Sequence, residues 1–368
     1  MAAAPPHPRV LMLPLSAQGH VMPLMELSHR LAEHGIEVYF VNTDFNHARI
    51  IRAMEGGEGN QTGRVPAGIH MELIRSEQIR WMVVNVPMTW ALELAATVGV
   101  RVALFLPFSL AAFALRLHAP KMIEDGVIDE NENVERNERI KLSPKMPVVE
   151  AAELPWSSVG KTPEARRAIF QTRPIPRRRP AFLARRPTCF AWLDAQAPGS
   201  VVYVAFGSLA VFDATRLQEL ADGLALTGRP FLCVVRPNSA GDCWVDEIRR
   251  RQRVLAHPTV ACFVTHCGWN SMMEGARHGV PFLCWPRFGD QFCNRSYACD
   301  VWRSGAELRA DERGVVAKEE VRDKLERLLG NEGIRTRALL LKSAARASVA
   351  GGGSSHQNLL RFVRALVQ

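Results

Sequence analysis

The sequence predicts an α/β protein with two similar halves, each built on a parallel sheet. Three observations lead there. The chain has 368 residues, which at roughly 150 residues per domain favours two domains. It opens with a β-α-β pattern, and the pattern restarts at Ser200. Composition is that of a globular chain, 47% hydrophobic and 23% charged, so both cores have enough apolar material.

The elements follow in order. Arg9 begins a short apolar run to Leu15, a strand, which leads into the loop Ser16-Ala17-Gln18-Gly19-His20. Leu24, Leu27 and Leu31 then recur three and four apart on one helical face, and Gly35 is placed to stop that helix. Residues 36–42 form a second strand, and a β-α-β unit implies parallel pairing. Residues 81–86 and 100–106 read as strands, with a helix over 88–98 between them and another over 109–117. In the second half, 201–206, 231–235, 260–265 and 280–285 read as strands. Helices are expected over 217–226 and 270–278, from Asp290 onward, and over 319–329 and 359–367.

Charge and cysteine content narrow the function classes. The net charge of +9 is local. Arg173, Arg177, Arg178, Arg179, Arg185 and Arg186 crowd one segment, and Arg249, Arg250, Arg251 and Arg253 another. Such clusters can bind nucleic acid or an anionic membrane. The first also carries Pro174, Pro176, Pro180 and Pro187 without a helical period, so a solvated linker is the favoured reading and no nucleic-acid partner is expected. The eight cysteines form no CxxC pair and several sit in apolar runs, as expected of reduced core thiols in a cytoplasmic protein. His257, Cys262, His266 and Cys267 fit no common zinc spacing, so no metal site is expected. The start lacks a charged region followed by a long apolar run, and 102–115 is too short to span a bilayer. Neither a secretory signal nor stable membrane insertion is therefore expected. No GxGxxG follows the first strand and no GxxxxGK[ST] occurs, which disfavours a dinucleotide-dependent oxidoreductase and a P-loop enzyme.

The segment VACFVTHCGWNSMMEGARHGVPFLCWPRFGDQ, residues 260–291, carries the chemistry. A strand ends at Thr265, then His266, Gly268, Asn270 and Ser271 fill a turn and open a helix. Free N–H groups and partial positive charge at that helix start suit a phosphate. Gly268 permits close approach, Glu274 can accept from ribose hydroxyls, and Asp290 and Gln291 can bind sugar hydroxyls. An ordinary strand–turn–helix with Asn as its cap fits the same residues.

The segment resembles the donor-binding box of plant-type UDP-dependent glycosyltransferases. His266-Cys-Gly-Trp269-Asn-Ser271, Glu274, Gly279-Val-Pro281 and Asp290-Gln291 match it in identity and spacing, as does Leu255-Ala-His257 upstream. Pro14-Leu-Ser-Ala-Gln-Gly-His20 resembles the family's first loop, and Val201 to Ser208, preceded by Trp192-Leu-Asp194, the start of its donor domain. The resemblance implies a GT-B fold, two Rossmann-like domains facing a cleft, with no cofactor beyond the co-substrate UDP-sugar and no metal. Its implied partition is an acceptor-binding domain at 1–172, the Arg/Pro-rich linker at 173–188, a UDP-sugar-binding domain at 189–350, and a Gly-rich joint with a last helix at 351–368 that packs back on the first domain. The implied partners are a UDP-sugar and a small hydroxylated acceptor, with the chain a monomer. His20 would be the catalytic base, and Ser208 would touch the diphosphate.

The chain departs from that pattern in three ways. The box should begin Trp, small, Pro, Gln, and those positions fall on Ile248, Arg249, Arg250 and Arg251; the Trp that stacks on uracil is missing, with Trp244 four residues early. Asn85 stands where the family pairs its histidine with an aspartate. Material is missing before Trp81, between Gln171 and Cys189, and before Gln252. The expected function is inverting transfer of a sugar, glucose by the family's association with Gln291, to a small metabolite. The alternative is a homologue that keeps the fold, with catalysis impaired or lost.

Overall fold

The computed structural model describes residues 8–15, 18–41, 69–70, 79–86, 88, 90–157, 189–207, 214–234, 251–312 and 314–368. The linker 173–188, Ser208, Trp244, Ile248, Arg249 and Arg250 lie outside the described residues. The chain divides into two compact units: 1–107 with 242–249 and 347–368, and 108–241 with 250–346. Residues 108–157, which the sequence groups with the first half, gather with the second unit.

Unit 1 holds a five-stranded parallel sheet in the order β3-β2-β1-β4-β5. Its strands are β1 (Arg9–Leu13), β2 (Glu37–Phe40), β3 (Ile69–His70), β4 (Ile79–Asn85) and β5 (Arg101–Phe105). Side chains alternate faces along each strand. Val10, Met12, Val38, Phe40 and Val83 pack on one face with Val21, Leu24 and Leu31 of α1 (Gln18–Glu33). Leu11, Leu13, Met82 and Val84 pack on the other with Ala91 and Ala95 of α2 (Trp90–Val98). The last helix, Ser354–Val367, returns to the first face, where Leu366 is fully buried.

Unit 2 opens with α3 (Leu110–Leu117), capped by Ser109, whose hydroxyl accepts from the Ala112 N–H at 3.2 Å, and then α4 (Ala119–Glu124). With the short antiparallel pair β6 (Arg139–Ile140) and β7 (Val149–Glu150), these build a separate cluster that includes Leu115, Ile128, Leu154 and Cys293. Arg295 ties the cluster down through ion pairs to Glu153 and Glu307.

The second sheet is also parallel, in the order β12-β11-β10-β8-β9. It comprises β8 (Val201–Ala205), β9 (Phe231–Cys233), β10 (Val260–Thr265), β11 (Phe282–Cys284) and β12 (Gly305–Glu307). Val201, Tyr203, Phe263 and Phe282 face Leu193 of α5 (Cys189–Asp194) and Met272 and Ala276 of α7 (Trp269–His278). Val202, Val204, Val264 and Leu283 face Leu220 and Leu224 of α6 (Ala214–Leu226) and Val321, Leu325 and Leu328 of α9 (Lys318–Leu329). Between them run α8 (Gln291–Ser296) and a wider turn over Tyr297–Val301. Helices α10 (Glu332–Val349) and α11 (Ser354–Val367) complete the chain.

The strand orders place the site. In open α/β sheets, ligands bind beyond the carboxyl ends of strands where the order reverses. Unit 1 reverses between β1 and β4, and unit 2 between β8 and β10. Three residues singled out in the sequence follow or end these strands, His20 after β1, Asn85 at the end of β4 and His266 after β10, and Gly207 follows β8.

Candidate functional site

In unit 1, the helix begins earlier than the sequence loop implied, so His20 sits in the first turn of α1. Asn85, the last residue of β4, is fully buried. Its Oδ1 accepts from the Leu15 N–H at 2.7 Å, which pins the chain leaving β1 to the end of β4. Burial pushes the His20 imidazole down to about 4, while the neighbouring Asn85 acts the other way and raises it. The geometry of the pair leaves both members unsatisfied: His20 Nδ1 and Asn85 Nδ2 are buried without a hydrogen-bond partner. His20 is accordingly neutral at pH 7, the form that can accept a proton.

In unit 2, the turn after β10 is built around His266. Cys267 adopts a left-handed backbone, φ 64°, rare for a residue with a side chain. Its sulfur is buried and its N–H donates to Thr265 Oγ1 at 3.2 Å. The imidazole of His266 lies between two glycines. A Cβ on Gly207 or on Gly268 would come within 2.5 Å of His266 Nε2. Both glycines are thus needed for the ring to reach its place.

Gly268 then opens α7, and no side chain caps that helix start. Trp269 and Asn270 occupy its first positions, both partly exposed, and Ser271 is buried. The helix end keeps its partial positive charge and its outward N–H groups. Glu274, one turn on, is engaged by an ion pair with Arg251: Nη2 donates to Oε1 at 2.8 Å, and Nε lies in close contact with Oε2.

The second half of the box is held by short-range bonds. Gln291 Oε1 accepts from the N–H groups of Arg287 (2.8 Å) and Phe288 (3.1 Å), so its amide can offer a ligand only its N–H donors. Asp290 precedes α8, and burial raises its carboxyl to about 6. Asn294, which the sequence reading missed, donates through Nδ2 to Asp290 Oδ2 (2.8 Å) and to the Cys267 carbonyl (2.9 Å). It therefore ties the His266 turn to the 290 turn. Its position four residues after Asp290, on a helix that opens there, was the available signal. His257 is fixed by Thr259 Oγ1 at 2.7 Å and Asp194 Oδ1 at 3.1 Å. Among the described residues, no group of three or more His, Cys, Asp or Glu side chains is placed to hold a metal ion.

The raised Asp290 carboxyl has a consequence for stability. In the unfolded chain it loses its proton near 3.8, in the folded protein near 6. Between those values the folded state holds more protons, so stability falls as pH rises through that window. Asp290→Asn removes the cost of ionising a buried group, up to about 3 kcal/mol. Thermal melts should show the variant gaining stability at pH 7.5 and little or none at pH 3.5, where the carboxyl is protonated in both states.

The comparisons with known proteins bear on this geometry. Residues 186–346 match the family model described as UDP-glucoronosyl and UDP-glucosyl transferase. Residues 8–64 match the model described as glycosyltransferase, N-terminal domain. UDP-glycosyltransferase 83A1 of Arabidopsis thaliana is 35% identical over 446 residues, covering 97% of this chain and 96% of the relative. The chain belongs to the UDP-glycosyltransferase family. This glycosyltransferase is also 42% identical over 197 residues to the DIMBOA UDP-glucosyltransferase BX8 of Zea mays, covering 48% of this chain and 42% of that one. Its fold is similar to that of Phytolacca americana apo UGT2, with a TM-score of 0.76 at 20% identity, covering 98% of this chain and all of that one. The Phytolacca structure complexed with UDP-2fluoro-glucose and pterostilbene gives a TM-score of 0.75 at 20% identity, covering 99% and 100%. The fold is GT-B, as the sequence implied. The 446 residues aligned with the Arabidopsis relative exceed the 368 of this chain, so the chain lacks internal segments that the relative has. No described helix of this glycosyltransferase is long and apolar enough to cross a membrane.

Proposed function

We propose that this glycosyltransferase moves glucose from UDP-glucose to a hydroxyl of a small metabolite, with inversion and without a metal ion. The observation that carries the reading is the uncapped start of α7, beside an imidazole clamped between Gly207 and Gly268. A diphosphate matches such a place, which offers N–H donors and partial positive charge. In this reading His266, Gly268, Asn270 and Ser271, with Ser208, hold the diphosphate, and Trp269 lines the turn. Glu274 faces the ribose, and Asp290 and Gln291 bind sugar hydroxyls. His20, beside Asn85, takes the proton of the acceptor hydroxyl. That oxygen bonds to the anomeric carbon as the bond from that carbon to UDP breaks. The charge that develops on UDP is met by the helix start and its side-chain donors.

The relatives support the choice of donor and of acceptor class: one is named a UDP-glucosyltransferase, and a solved neighbour holds a UDP-2fluoro-glucose with pterostilbene. The reading includes an acceptor-binding role for residues 1–172, a donor-binding role for 189–350, a monomeric chain, a place in secondary metabolism and a cytoplasmic location. A second reading, a homologue that keeps the fold without catalysis, is favoured by Asn85 at the aspartate position and by the segments the chain lacks.

Calorimetric titration with UDP and with UDP-glucose, followed by UDP release over a panel of hydroxylated acceptors, separates the two. Micromolar binding with UDP release supports the transferase. Binding without release supports the second reading. No binding to the folded protein would remove the donor site from both.

A further inference from the structure

Glu274 is the carboxylate that the donor-site reading assigns to the ribose, and in this chain it is already occupied. Arg251 lies in the helical stretch 251–256 just ahead of β10, and Glu274 lies on α7. The two side chains are only 11% and 12% exposed. One carboxylate oxygen accepts from Nη2 at 2.8 Å, and the other lies in ion-pair contact with Nε. A charge-assisted hydrogen bond inside an ion pair shielded from water is stronger than a bond from a neutral hydroxyl. Arg251 also stands where the family pattern puts a glutamine, a side chain that carries no charge.

We propose that Arg251 is a specificity-determining residue that blunts the reading of the ribose. A carboxylate neutralised and fixed by a guanidinium is a poor acceptor for a further hydroxyl. To bind the ribose, Glu274 would have to give up part of a pair shielded from water, and that exchange cancels most of the gain. The donor is therefore held chiefly by its diphosphate and its sugar, and the nucleoside contributes little. This rests on the donor-site reading above.

The test compares UDP with 2′,3′-dideoxy-UDP by calorimetry, in the wild type and in Arg251→Gln. The wild type should bind the two within about threefold of each other. Arg251→Gln, which frees the carboxylate, should bind UDP about tenfold tighter, the size of one charge-assisted hydrogen bond, and leave 2′,3′-dideoxy-UDP unchanged. Arg251→Lys, which keeps the charge but lacks the planar guanidinium, should fall between. The wild-type comparison needs no variant and stands even if one fails to fold. A wild type that prefers UDP tenfold or more overturns the proposal, as does an Arg251→Gln protein that folds and gains nothing for UDP. If neither protein binds either nucleotide, the donor-site reading falls, and this proposal with it.

Discussion

Asn85→Asp is expected to raise the rate of UDP release by at least tenfold, and by ~10⁴-fold at most, the loss seen for the reverse change in a serine-protease triad. Asn85 uses one side-chain atom well: Oδ1 accepts from the Leu15 N–H. The other, Nδ2, is a buried donor without a partner, close to the equally unsatisfied Nδ1 of His20. An aspartate keeps the first bond and turns the second atom into an acceptor for the Nδ1–H. It also places a negative charge beside the imidazolium that forms when His20 takes a proton. A base near 4 is weak at pH 7, and a neighbouring carboxylate raises it. The acid limb of the pH–rate profile should accordingly move upward in the variant. Rates measured from pH 5 to 9 on the same acceptor check both effects. An unchanged rate and profile would remove His20 from the role of base.

Gly268→Ala should weaken UDP binding by about ten- to a hundredfold while the protein still folds. The added methyl falls 2.5 Å from His266 Nε2, the far end of a side chain that can swing aside. The backbone at Gly268 has φ −59°, which alanine adopts freely, so the substitution acts on the ring alone. Gly207→Ala has the same steric conflict but adds the cost of φ 68°, and should be less stable as well. His266→Ala provides the closing comparison. If the glycine acts only by seating the ring, the double variant Gly268→Ala/His266→Ala binds UDP no more weakly than His266→Ala alone. Additive losses in calorimetry would mean that Gly268 contacts the nucleotide in its own right.

The fold was legible where periodicity is strong. The run 201–205 and its neighbour 260–265 are apolar on both faces, as buried parallel strands must be, and both appear as β8 and β10. Leu24 and Leu31 announced α1 and are fully buried there. The 18-residue helix α10 gave little sign of itself. Its core-facing stripe is thin, with Ala338 buried and Ile334 and Leu341 partly so, and Leu339 and Leu340, 49% and 63% exposed, blur its period. Strands β3 and β12 are two and three residues long, too short for any alternation to show.

The site was legible by a different route. His266, Gly268 and Gln291 were found through spacing against a family pattern. That two glycines seat one imidazole came only from three dimensions, since the conflict joins positions 207 and 268. Arg251 was noticed as part of a basic cluster and as a departure from the pattern. That its charge is consumed by Glu274, 23 residues on, depends on the packing of the 251–256 stretch against α7. Local spacing carries no such information.

The burial of Leu366 among Val10, Met12 and Leu24 has a consequence for the order of events on the ribosome. The strands of the first sheet are complete once Phe105 has emerged, but the helix that covers part of one face comes about 260 residues later. At typical rates of synthesis that delay is roughly 10–50 s. Throughout it the nascent sheet shows an apolar strip to the cell, while the second sheet, contiguous in the chain, can close first. The unit that is begun first is the last to be finished.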